Sequence, residues 1–154
     1  MSFSKDIKKF AAKTNKALSG VIVASIFDLN NTIIKGTPVD TGRARGGWIP
    51  SLNSASFAGG KTDKTGNATV AKANSVALTA PGNVYFLVNS VAYIRQLEFG
   101  LYPKNQQKGK YNKKNKSYEI RTVGGYSKLA PQGMVRVAVT EFKNDLREAV
   151  QNVN

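Results

Sequence analysis

Apolar positions recur every three or four residues over the first quarter of the chain. Ile7, Phe10, Ala11, Leu18, Val21, Ile22, Ile26, Leu29 and Ile33 follow one another with one gap, the pattern of one helical face. The spacing predicts a single helix over 4–35. Ser4 can cap its start, Asp6 suits the positive end of the helix dipole, and Gly36 stops it. At about 1.5 Å per residue this is a rod of roughly 45 Å, with Gly20 and Asn30-Asn31 as its expected weak points.

The period then changes. Thr37 to Arg45 reads as a turn, because Asp40 and Thr41 can accept from backbone N–H groups ahead of them and Gly42 has a permissive backbone. Gly46 to Leu52 reads as a strand with Trp48 and Pro50 on one face. Asn53 to Asn67, rich in Gly, Ser, Thr, Asn and Lys, is an expected mobile loop. Ala68 to Thr79 fits a helix by alanine content and, less well, a strand by alternation. Val84 to Asn89 is the clearest strand, apolar enough for a central position. Ala92, Ile94, Leu97 and Phe99 give an apolar side to a short helix over 91–99, and Gly100 stands where a left-handed residue ends helices. Pro131 suits the first position of a C-terminal helix, with Ala130 extended before it. Val135, Ala138, Phe142, Leu146, Ala149 and Val153 supply that helix's apolar face. The sum is a single α+β domain over 1–154. A long N-terminal helix and a C-terminal helix pack on a small, mostly antiparallel sheet.

Three of these segments resemble a known family. Tyr93 to Gly100, ending Leu-Glu-Phe-Gly, Ser127 to Val139 (Ser-Lys-Leu-Ala-Pro-Gln-Gly-Met-Val-Arg-Val-Ala-Val) and the turn Pro38-Val39-Asp40-Thr41-Gly42-Arg43 are similar, in the same order, to motifs of the neck or tail-completion proteins of tailed bacteriophages. The resemblance spans about residues 5–150. It implies a structural virion protein at the head–tail joint, in an oligomeric ring, a hexamer, through which DNA passes. The implied partners are other copies and other neck and tail proteins, with non-specific DNA contact in the channel and no membrane. The implied location is the virion neck or tail, after synthesis in the bacterial host cytoplasm. In the family the Glu-Phe/Tyr-Gly and Ser-Lys motifs lie almost side by side, whereas here residues 101–126 intervene.

Composition narrows the chemistry. Twenty-three Lys and Arg against nine Asp and Glu leave a net charge of +14, which points to a polyanion or an acidic protein surface as partner. The hydrophobic fraction of 41% is ordinary for a globular chain. Without cysteine or histidine the chain lacks thiolate chemistry, the commonest general base and the commonest metal ligands. Val21 to Phe27 is apolar, but Asp28 ends the run, and no stretch is expected to approach the roughly 18–20 residues of a membrane span. Gly59-Gly60-Lys61-Thr62 fails as a phosphate loop, since the position five before Gly60 holds Ala55 where that loop requires glycine. No nucleophile–base pair is recognisable. The expectation is a non-enzyme with no cofactor, no metal and no catalytic residue.

Four groups of residues remain as candidates. Residues 101–126 are an inserted loop or hairpin arm, in which seven basic residues against Glu119 alone leave +6. Lys104, Lys108, Lys110, Lys113, Lys114, Lys116 and Arg121, with Tyr111 and Tyr118 interleaved, are contacts for DNA or an acidic partner. Glu98 lies among Leu97, Phe99 and Gly100. A buried carboxylate needs a partner, and Arg43 or Arg95 could supply it. Asp40, Arg43 and Glu98 are therefore expected to tie turn, sheet and short helix together, the alternative for Arg43 and Arg45 being anion contact. Val21, Ile22, Ile26 and Phe27 are candidates for an oligomer interface, because the predicted rod outruns what the domain can cover. The lysines of the first helical turns, including Lys5, Lys8, Lys9, Lys13 and Lys16, form either a solvated face or an anion-facing end. The alternative function is a non-sequence-specific nucleic-acid-binding accessory protein.

Overall fold

The computed structural model describes residues 3–151. The side chains of Ser4, Lys5, Asp6, Ile7, Lys8, Phe10, Ala11, Leu146 and Ala149, and the whole of Val153, lie outside the described residues. The long helix α1 runs Phe3–Gly36, 34 residues or about 51 Å. It is followed by a single turn of helix, α2 (Arg43–Gly46), the strand β1 (Trp48–Leu52), the helix α3 (Asn67–Ala77) and the strand β2 (Tyr85–Asn89). Next come the short helix α4 (Ile94–Phe99), four short strands β3 (Lys108–Asn112), β4 (Ser117–Ile120), β5 (Thr122–Val123) and β6 (Tyr126–Ser127), and the helix α5 (Val135–Gln151). The α+β architecture expected from the sequence is present, with one difference: three separate antiparallel pairs, β1–β2, β3–β4 and β5–β6, replace a single sheet.

The core lies at the C-terminal end of α1. Ile33 and Ile34 pack there with Ala44, Trp48, Ala73, Leu97, Ala130, Met134 and Ala138. Trp48 joins this core with its indole N–H donating to the Thr37 hydroxyl (2.9 Å), which itself donates to the Ile33 carbonyl (2.7 Å). Asn30, expected as a weak point, is instead 1% exposed. Its amide donates to Asn74 on α3 (3.1 Å) and its oxygen accepts from the Tyr85 hydroxyl on β2 (3.0 Å). A buried amide is tolerated because its partners are supplied.

β1 and β2 pair in register from Trp48↔Asn89 to Leu52↔Tyr85. Every β2 residue is half-buried, so β2 is one strand of a two-stranded ribbon rather than a central strand. The segment that periodicity left open is a helix, α3. Pro131 is not the start of the last helix. Gly133 takes φ +84°, which interrupts helical geometry, and α5 begins after it at Val135. The loop expected to be mobile is held at its second half, as described below.

The outer part of α1 is bare. Leu18 and Val21 are more than half exposed and Ile22 is 37% exposed, while Ile26 and Phe27 are half-buried. Ala12–Gly36 is, by length and composition alone, long and apolar enough to cross a membrane, contrary to the expectation from the run ending at Asp28. Its four charged residues, Lys13, Lys16, Asp28 and Lys35, do not offset the apolar residues between them. Its last residues belong to the domain core, however. The apolar part outside, roughly residues 17–27, is about 16 Å long, half of a bilayer's hydrocarbon thickness.

Candidate functional site

The Leu-Glu-Phe-Gly and Gly-Met-Val segments meet through one carboxylate. Gly100 ends α4 with φ +67° and ψ +39°, the left-handed stop its position predicts. This geometry leaves Glu98, 7% exposed, facing the first turn of α5. Its Oε2 accepts from the backbone N–H groups of Met134 (2.7 Å) and Val135 (2.9 Å), and its Oε1 from that of Arg136 (3.0 Å) and from Arg136 Nε (3.3 Å). The Arg136 guanidinium also donates to the Glu98 carbonyl and lies 5.2 Å from the centre of the Phe99 ring. A helix's first N–H groups have no partner within the helix, so a carboxylate from elsewhere in the chain caps α5. Burial pushes the Glu98 carboxyl up, but the three amides and Arg136 outweigh it and hold it below the usual range. Glu98 is thus buried as expected, with a different partner. Neither Arg43 nor Arg95 pairs with it, and the expected Asp40–Arg43–Glu98 network does not form. Arg43 is exposed, and Asp40 meets Arg121 at 3.4 Å in a solvent-exposed pair.

The tie between turn and core is made by Arg45. Its Nη2 donates to the carbonyls of Lys35 (2.8 Å) and Thr37 (2.9 Å), its Nε to Thr37 (3.1 Å) and its Nη1 to Lys64 (2.9 Å). This fork satisfies carbonyls at the end of α1 and occupies all three nitrogens of the Arg45 guanidinium within the chain, whereas Arg43 is exposed. Asp63 secures the same loop from the other side. Its carboxylate accepts from the Thr65 and Thr69 hydroxyls and from the Gly66 and Thr69 amides, at 2.8–3.1 Å. Burial opposes ionisation of Asp63, but the Thr69 amide and hydroxyl, the Gly66 amide and the Thr65 hydroxyl bring its pKa down to about 2. Sequence reading missed Asp63 and Arg136, and gave Arg45 only an anion contact. The signal for Asp63 was present as Asp63-x-Thr65-Gly66 before an alanine-rich helix, an arrangement of short acceptors that caps helices.

Residues 101–126 leave and return at one place. The Tyr126 ring lies against the Gly100 Cα, where a side chain would collide with it, and the Tyr102 N–H donates to the Gly125 carbonyl (3.0 Å). Farther out, the Arg121 N–H donates to Gln107 (2.9 Å) and the Gln107 N–H to the Thr122 hydroxyl (2.9 Å). Beyond that point β3 and β4 form a hairpin in which Gly109 alone is not exposed. Tyr111 and Tyr118 face each other across the strands, ring centres 5.0 Å apart and edge to face. Lys108 Nζ lies 5.3 Å above the Tyr118 ring. Lys113, Lys114 and Lys116 crowd the tip, where Asn112 Oδ1 accepts from the Lys114 N–H (2.9 Å) and Lys116 takes φ +47°. Lys104 is exposed near the base, and Lys110 is exposed on β3. Arg121 lies between its two acids, Asp40 and Glu119 (3.8 Å). The alternation read over Tyr118 to Val123 therefore does mark a hairpin arm.

No protein family, no curated protein and no solved structure matches this chain.

Proposed function

We propose that this protein is a structural component of a phage head–tail joint, one copy of a six-membered oligomeric ring through which DNA passes. The observation that carries the reading is the meeting of two family-like segments that lie far apart in sequence. The Glu98 helix and the Ser127–Val139 segment adjoin through Glu98 on the α5 N-terminus, with Tyr126 against Gly100 beside them. The Asp40 turn meets the inserted arm at Arg121. The insertion loops out without separating the motifs, as a decoration on the implied fold would. The bare apolar flank of α1, at Val21 and Ile22 with Ile26 and Phe27 beside them, supports burial against a neighbouring copy.

The test is sedimentation of purified protein over rising concentration, with negative-stain electron microscopy of the associated fraction. Closed rings are expected, and Val21→Asp with Ile22→Asp should leave a folded monomer. A wild-type protein that stays monomeric at every concentration and joins no particle would overturn the reading.

A further inference from the structure

We infer that the β3–β4 hairpin is a sequence-neutral arm for duplex DNA, the lysines at its tip and sides gripping phosphates. A two-stranded hairpin standing alone is marginal in water, and this one buries almost nothing of its own. An exposed ribbon that adds nothing to the core is a surface suited to a partner. Its cations are free to act: among the described residues Lys104, Lys108, Lys110, Lys113, Lys114 and Lys116 form no ion pair, while the one carboxylate of the arm, Glu119, is engaged by Arg121.

The residue types select the partner. Lysine is depleted in the cores of protein interfaces, and the tip, Lys113-Lys114-Asn115-Lys116, offers no apolar anchor. A compact ammonium on a flexible stem suits a phosphate, and such contacts fix position without reading sequence. A two-stranded ribbon is also one of the two protein elements that the major groove of B-DNA admits. Single strands fit less well. Base stacking needs open ring faces, and Tyr111 and Tyr118, though about half exposed, are already engaged with each other edge to face, with Lys108 over the Tyr118 ring. Contacts of this electrostatic kind let a protein slide along DNA, so they are compatible with a channel that DNA traverses. The inference stands on the hairpin alone, and a monomeric protein would show it equally.

The experiment is fluorescence anisotropy of the full-length protein with a short random-sequence duplex between about 50 and 200 mM salt. Lys113→Ala, Lys114→Ala and Lys116→Ala are combined in one variant. Lys9→Ala, Lys13→Ala and Lys16→Ala, each exposed on α1, are combined in another with the same net charge. The salt slope should fall by about 0.9 per tip lysine, hence by about 2.7 in the arm variant, and stay unchanged in the helix variant. Equal losses in both variants would reduce the effect to net charge and overturn the assignment. No binding by the wild type would overturn it as well. So would tighter binding of single strands that is lost in Tyr118→Ala.

Discussion

Replacing Glu98 by alanine tests the arrangement that joins the two most characteristic segments of the chain. The substitution removes the acceptor for three backbone N–H groups, and the Met134 amide among them is buried. An unsatisfied buried donor costs about 1–3 kcal/mol, and loss of a helix cap about 1 kcal/mol. The Arg136 guanidinium adds little, because its side chain is 49% exposed, water can replace the carboxylate, and exposed ion pairs are worth about 0–1 kcal/mol. Glu98→Ala should therefore cost about 3 kcal/mol, or about 6–12 °C in Tm for a domain of this size. Arg136→Ala should cost no more than about 1 kcal/mol. Differential scanning calorimetry of the two variants separates cap from ion pair. If Arg136→Ala is as damaging as Glu98→Ala, or if Glu98→Ala leaves Tm unchanged, the capping argument is wrong.

The same residue fixes a pH dependence. Its folded pKa lies below the ordinary 4.5, so its stabilisation is complete above that value and is lost as pH falls through the folded pKa. The gap in stability between wild type and Glu98→Gln should accordingly narrow in acid and be constant near neutrality.

Three further outcomes are expected. Arg45→Lys keeps the charge but loses the planar fork over the Lys35, Thr37 and Lys64 carbonyls, and should lower the urea-unfolding free energy by about 1–2 kcal/mol. Gly46→Ala places a methyl group on the Lys61 carbonyl oxygen and should sharply reduce soluble, folded protein, whereas Gly59→Ala, with open space around it, should melt within about 2 °C of wild type. Replacing 108–120 by two glycines should leave Tm within about 2 °C, because the excised residues contribute no core; a large loss would show that the hairpin braces the domain.

The elements were legible where a local signal decides them. Gly100 at the end of an apolar helix announces a left-handed stop, and Leu97-Glu98-Phe99 announces a carboxylate held among apolar neighbours. Glu98's partners were not legible, because three of the four donors are backbone N–H groups, which carry no residue type. The same blindness hid the role of Arg45, whose acceptors are all main-chain carbonyls. Pairing Glu98 with Arg43 assumed that a charge seeks an opposite charge, when a helix N-terminus serves as well. The apolar run of β2 revealed a buried strand but not its number of neighbours, since burial against helices and burial between strands demand the same residues. Pro131 misled because Gly133, two residues later, needs a backbone conformation that no helix has.

The bond between Gln107 and Arg121 makes the length of the hairpin a free variable. The two residues are already joined by a hydrogen bond, so the rest of the domain senses only that the path closes there. Doubling a flexible segment costs only about 0.6 kcal/mol in closure entropy, and in a paired hairpin each added rung brings its own bonds. Reach could thus be retuned by insertion or deletion at Asn115, in evolution or by design, with no compensating change in the core. The domain would keep its fold while its outermost contact moves by about 3.3 Å for every residue added to each strand.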